Sequence, residues 1–136
     1  MLADPLYLDS SAIVKLVVDE TESDELTRMI ESTDAVLTTS FISEIECVRA
    51  VNRISADLRD VAMERLHGFV VLPLTDSIRS RTISIMPGAL RSLDAIQLST
   101  AIEIQDSLEG FVSYDFKLNE AARSFGLSVL APGRRI

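Results

Sequence analysis

The sequence predicts an α/β fold of three layers, with a central parallel β-sheet between two layers of helices. Three observations carry that expectation. Short apolar runs recur along the chain, each too brief for a helix and apolar on both faces, as a strand covered on both sides must be. Stretches with apolar residues at helical spacing separate them. The hydrophobic share is 47% of 136 residues, enough for the core of one domain, and no linker, repeat or low-complexity tract divides residues 1–136.

Tyr7 to Asp9 reads as the end of the first strand, and Ala12, Ile13, Leu16 and Val17 as the buried stripe of a helix capped by Asp9 or Ser10. An acidic helix from about Glu22 to Ser32 leads to a second strand at Ala35-Val36-Leu37-Thr38. Ser40 caps a third helix through Phe41, Ile45, Val48 and Val51. Asp57 starts a fourth through Leu58, Val61, Ala62 and Leu66, and the two form a hairpin. Phe69-Val70-Val71-Leu72 is strand-like and stops at Pro73, and Thr75 or Asp76 opens a helix that ends before Pro87-Gly88. A helix from Ser92 to about Gln105, a strand from Phe111 to Ser113, a helix from Lys117 to Phe125 ending at Gly126, and a strand from Ser128 to Leu130 complete the pattern before Pro132-Gly133.

The amino terminus has no basic region followed by a long apolar one, and charges interrupt every apolar run before membrane-spanning length, so a soluble, unsecreted protein is expected. The only cysteine, Cys47, excludes an internal disulfide and falls in an apolar helical pattern, which fits a buried hydrophobe in a reducing cytoplasm. A net charge of −8 argues against a general nucleic-acid binder. It leaves room for a site that reaches a polyanion through metal ions.

Candidate chemistry lies in four carboxylates. Asp9 and Asp115 each close an apolar strand and precede a helix, where capping and metal binding explain them equally well. Asp94 shares a helical face with Leu90, Leu98, Ala101 and Ile102, and a carboxylate in that stripe calls for a cation or a set of hydrogen bonds. In the third helix periodicity does not choose between Glu44 and Glu46. Arg49, one turn after Glu46, is either a surface ion pair or an orienting partner for it. Converging carboxylates repel, whereas Mg²⁺ or Mn²⁺ lets them stay ionised, and such a site suits phosphodiester hydrolysis. Other arrangements find little support. His67 is the only histidine, no glycine-rich phosphate loop occurs, and Asp9-Ser10-Ser11 lacks the second aspartate of aspartyl-phosphate phosphatases.

Four segments together resemble a PIN-domain ribonuclease, the toxin of a VapBC-type toxin–antitoxin pair. They are Tyr7-Leu8-Asp9-Ser10-Ser11-Ala12; Ser40 with Glu46-Cys47-Val48-Arg49-Ala50; Leu93-Asp94-Ala95-Ile96-Gln97-Leu98; and Val112-Ser113-Tyr114-Asp115 with Leu118 and Glu120-Ala121-Ala122. The resemblance implies a PIN-like fold and selects Glu46 over Glu44. It implies an acidic centre of Asp9, Glu46, Asp94 and Asp115, with Asp9, Asp94 and Asp115 as Mg²⁺ ligands and Ser11, Arg49 and Asn119 in support. Lys15, Arg49, Arg91 and Lys117 are either candidates for phosphate contacts or solvated or ion-paired surface residues, while Gln97 stands where relatives often carry a basic residue or histidine. The resemblance further implies an RNA substrate, a homodimer, and a cognate antitoxin whose basic segment suits this acidic surface. The competing expectations are a non-catalytic metal-binding or interaction module of the same fold and, more remotely, a small-molecule phosphatase.

Overall fold

Strand β1 (Pro5–Leu8) lies at the centre of a five-stranded, wholly parallel sheet of order β3-β2-β1-β4-β5. The computed structural model describes residues 3–134, so Met1 and Leu2 of the amino-terminal reading lie outside the described residues. Around β1 run β2 (Val36–Ser40), β3 (Val70–Leu72), β4 (Gly110–Val112) and β5 (Val129–Leu130). The helices are α1 (Ser10–Val17), α2 (Ser23–Glu31), α3 (Phe41–Asn52), α4 (Ala56–Leu66), α5 (Asp76–Ser84), α6 (Ser92–Glu103) and α7 (Phe116–Ser124). Together these form the three-layer α/β/α architecture that the alternation predicts.

Side-chain alternation along the strands divides the core in two. Leu6, Leu8 and Val112 point to one face, where Ala12, Ile13, Leu26, Cys47, Val51, Ala62 and Leu66 from α1 to α4 cover them. Tyr7 and Phe111 point to the other and stack with ring centroids 5.4 Å apart, beneath Leu98, Ala101, Leu118 and Ala122 of α6 and α7. Gly110 sits in close quarters: a Cβ there would come within 2.7 Å of the Leu130 side chain and 3.2 Å of that of Leu6, so the Leu130 side chain would have to shift.

Several boundaries move by a residue or two. Ser55, not Asp57, caps α4, because its hydroxyl accepts the Asp57 and Leu58 amides at 3.1 and 3.3 Å. The helix from Ser92 gives way after Glu103 to a 3-10 turn over Gln105–Ser107. Strand β4 ends at Val112, which releases Ser113 to hydrogen-bond through its side chain. Helix α7 ends as expected at Gly126, whose φ of 83° suits glycine. Cys47 is fully buried and burial pushes its thiol up to about 11, leaving it unreactive. Among the described residues no helix is long and apolar enough to cross a membrane.

Candidate active site

The strand order reverses at β1, so the connections leaving β1 and β4 depart to opposite faces and open a crevice beyond their carboxyl ends. Asp9 follows β1 directly and Asp115 follows β4 by a short turn. Each is also the N-cap of the helix that leaves: the Asp9 carboxylate accepts the Ala12 amide at 3.0 Å and that of Asp115 accepts the Leu118 amide at 2.9 Å. Capping therefore accounts for one oxygen of each acid, not for their convergence.

Asp9 is 3% exposed and held by three donors. Ser11 donates to Oδ1 at 2.6 Å alongside the Ala12 amide, and Ser113 donates to Oδ2 at 2.7 Å. Burial raises its pKa to about 6 against the pull of those hydrogen bonds, and the Asp115 charge adds to the rise. Ser11 is itself fixed, since its hydroxyl accepts the Tyr114 amide at 2.9 Å. Ser113 accepts the Asp115 amide at 3.1 Å, so one hydroxyl bridges two of the predicted acids. Asn119, 3% exposed, donates from Nδ2 to the Ser113 carbonyl at 2.8 Å and so holds the turn that carries this bridge.

Asp94 sits half-buried in the first turn of α6 and lines, with Asp115, Arg91 and Lys117, a cleft of about 160 Å³. Its pKa is raised, first by burial and then by the charges of Asp115 and Glu46, with Arg91 opposing. Glu46 projects half-buried from α3, whereas Glu44 is solvent-exposed. Electrostatically the four acids form a chain: Asp9 feels Asp115, and Asp94 feels both Asp115 and Glu46. Among the described residues, no three His, Cys, Asp or Glu side chains stand close enough together to cage an ion by themselves.

One sequence expectation is corrected and one alternative is decided. Arg49 makes no ion pair with Glu46 among the described residues; the donors on Glu46 are Ser10 at 3.2 Å and Gln97 at 3.2 Å. Arg49 instead lines the adjoining surface cleft with Glu46, Arg53 and Leu93. Lys15 is not free for a phosphate: its ammonium lies 2.7 Å from Glu22, 3.4 Å from Glu20, and 5.0 Å from the centre of the Tyr114 ring. Sequence reasoning assigns Ser113 no role, reads Ser10 only as a helix cap, and marks Gln97 only as a position where relatives often carry a basic residue or histidine. The one visible signal for Ser113 is a small hydroxyl at the end of an otherwise apolar strand.

The PIN domain family model matches residues 6–124. The chain belongs to the PIN domain family. Ribonuclease VapC47 of Mycobacterium tuberculosis is 35% identical over 134 residues, spanning 94% of this chain and 97% of that protein. Ribonuclease VapC35 of the same organism is 36% identical over 132 residues, spanning 95% and 98%. These relatives place the chain among the VapC-type PIN proteins. The fold is shared with the sarcin–ricin loop cleaving toxin VapC20 of M. tuberculosis, at a TM-score of 0.74 and 14% identity over 93% of this chain and 99% of that one. It is shared also with a toxin–antitoxin complex from Klebsiella pneumoniae, at 0.73 and 17% over 96% and 99%.

Proposed function

We propose that this PIN domain protein is a Mg²⁺-dependent endoribonuclease, the toxin of a toxin–antitoxin pair, which hydrolyses RNA phosphodiesters at Asp9, Glu46, Asp94 and Asp115. The observation that carries this reading is the gathering of the acids at the switch point of a parallel sheet, where Ser113 bridges Asp9 and Asp115, Asp94 and Asp115 line one cleft, and Gln97 ties Glu46 to the helix that bears Asp94. Carboxylates gathered in one crevice repel one another, and a cation lets them stay ionised together at neutral pH. The donor set is all oxygen, which fits Mg²⁺, with Mn²⁺ as a substitute. The lack of a ready three-acid cage is compatible with it, because Mg²⁺ binds through one or two carboxylates and keeps waters and substrate phosphate oxygens.

Asp94 and Asp115, with Asp9 beside them, would hold the ion. When bound, Mg²⁺ supplies acidity to a coordinated water and neutralises charge on the nonbridging phosphoryl oxygens. The protein's own part is positional. Ser11, Ser113 and the Ala12 amide fix Asp9 before substrate arrives, and Asn119 fixes the turn bearing Ser113. Arg91 and Lys117, on the wall of the Asp94–Asp115 cleft, bind phosphates flanking the scissile bond. Glu46 would take the proton of the attacking water as the new bond to phosphorus forms, and the bond to the leaving ribose oxygen breaks with a proton from solvent completing the alcohol.

The RNA substrate is supported by the names of the VapC ribonucleases to which the chain is similar. An antitoxin partner is supported by the toxin–antitoxin complex that shares the fold. Exposed Ile45, Val61 and Met63 on α3 and α4 offer an apolar surface for a homodimer. The buried, reduced Cys47 is compatible with a cytoplasmic site of action. The test is to incubate antitoxin-free protein with a mixed RNA pool and Mg²⁺, beside EDTA and Asp94→Asn controls, and to map cut ends by sequencing. Discrete cuts that need Mg²⁺ and vanish in the variant are expected. Folded protein that leaves the pool intact would favour the non-catalytic module.

A further inference from the structure

We infer that Gln97 is a positioning residue that aims the Glu46 carboxylate into the acidic crevice; the inference deepens the nuclease reading and rests on it. Gln97 lies on α6 one turn beyond Asp94 and is 1% exposed. A buried primary amide must satisfy an acceptor and two donors. Its Oε1 accepts from the Tyr7 phenol and from Ser43 at 3.0 Å, and its Nε2 contacts Ser43 Oγ at 2.7 Å and donates to Glu46 Oε1 at 3.2 Å. The four residues come from three elements, β1, α3 and α6, and this amide contacts all three of the others.

The chemistry of the partners fixes which way the amide points. An ionised Glu46 has no proton to give, so the amide nitrogen must face it. Tyr7 is fully buried and its phenol O–H donates to the amide oxygen, so the oxygen faces the phenol. The result is asymmetric at Glu46. Both of its protein donors, Gln97 and Ser10, reach Oε1, and among the described residues no hydrogen bond reaches Oε2. One carboxylate oxygen is tied to the scaffold and the other is left for the reaction. Packing alone at this position would be served by methionine, which has no donor for Glu46.

A double-mutant cycle separates positioning from simple structural support. Gln97→Met should lower kcat for the mapped RNA by about 10- to 100-fold, the usual cost of losing a hydrogen-bond partner behind an active-site ligand, with KM little changed. In a Glu46→Gln background, the same change should lower the residual single-turnover rate no further. Ser10→Ala should show a smaller loss of the same kind. Because Gln97→Met strips the acceptor from Tyr7, Tyr7→Phe/Gln97→Met provides a second version without a stranded phenol. Independently of activity, the side-chain amide protons of Gln97 should exchange slowly with solvent in NMR spectra and shift when Glu46 becomes Gln. Wild-type kcat in Gln97→Met, an equal loss in both backgrounds, or Gln97 amide signals that ignore Glu46→Gln would overturn the assignment. Wild-type protein that fails to cut RNA, with the Gln97 amide still responding to Glu46→Gln, would instead remove the nuclease reading and leave the Glu46 contact standing.

Discussion

Asp9→Asn should stabilise the metal-free protein at neutral pH while abolishing its activity. Burial holds the Asp9 pKa at about 6 in the folded protein against an ordinary value of 3.8. A carboxyl whose folded pKa is raised favours folding while protonated, below its unfolded pKa, and that contribution is lost as pH rises through the folded pKa. The interval from 3.8 to about 6 corresponds to about 3 kcal/mol at pH 7.5. Asparagine removes the charge and keeps the shape. Its oxygen can still accept from the Ala12 amide and Ser11, it is as good an N-cap as aspartate, and its amide can donate to Ser113 Oγ. In EDTA at pH 7.5, urea unfolding should show Asp9→Asn more stable by about 3 kcal/mol, a rise in Tm of roughly 10 °C. The advantage should shrink as pH falls from 7 toward 4. Saturating Mg²⁺ should raise the wild type far more than the variant, through binding to the folded state alone. A variant less stable than wild type in EDTA at pH 7.5, or an advantage independent of pH, would refute the argument that burial of this charge strains the fold.

Ser113→Ala removes the 2.7 Å donor to Asp9 and the acceptor of the Asp115 amide. It should cost about 1–3 kcal/mol in urea unfolding at pH 7.5, and less below pH 5, where Asp9 is protonated. Lys15→Ala should leave RNA cleavage unchanged and cost about 1 kcal/mol of stability, because Lys15 serves Glu22, Glu20 and the Tyr114 ring. Arg91→Ala should raise KM several-fold, flatten its dependence on salt, and raise the Asp94 pKa further, as read by carboxyl NMR.

The sheet was legible because each strand of a covered parallel sheet must be apolar on both faces, and β1, β2 and β4 are. The acids at the ends of β1 and β4 were legible for the same reason: an Asp that interrupts an apolar run marks where the strand meets solvent. Their double use was not. Asp9 and Asp115 cap helices and also approach one another, and only strand order brings together residues separated by most of the chain. Glu46 could not be told from Glu44 by periodicity, because both lie within one turn of α3, which is only partly buried. Gln97 escaped for a related reason. A polar residue on a buried helix face looks the same in sequence whether it supports an active-site acid or merely satisfies its own amide, and its partners Tyr7, Ser43 and Glu46 lie 51 to 90 residues away. For Lys15 the ion-paired alternative holds, and for Arg49 neither pairing with Glu46 nor its absence was legible, because the partners of long cations depend on which surfaces happen to adjoin.

The central claim, that four carboxylates act as one metal-dependent site on RNA, is tested most directly by single-turnover cleavage of an oligonucleotide carrying the mapped cut. The proteins compared should be the wild type, Asp9→Asn, Glu46→Gln, Asp94→Asn, Asp115→Asn and the quadruple variant, each shown to be folded. The account predicts that every single change lowers the rate by at least about 10²-fold and that the quadruple variant is little worse than the worst single, as for groups that work as a unit. A single variant that keeps the wild-type rate, or wild-type cleavage that persists in EDTA, would contradict it.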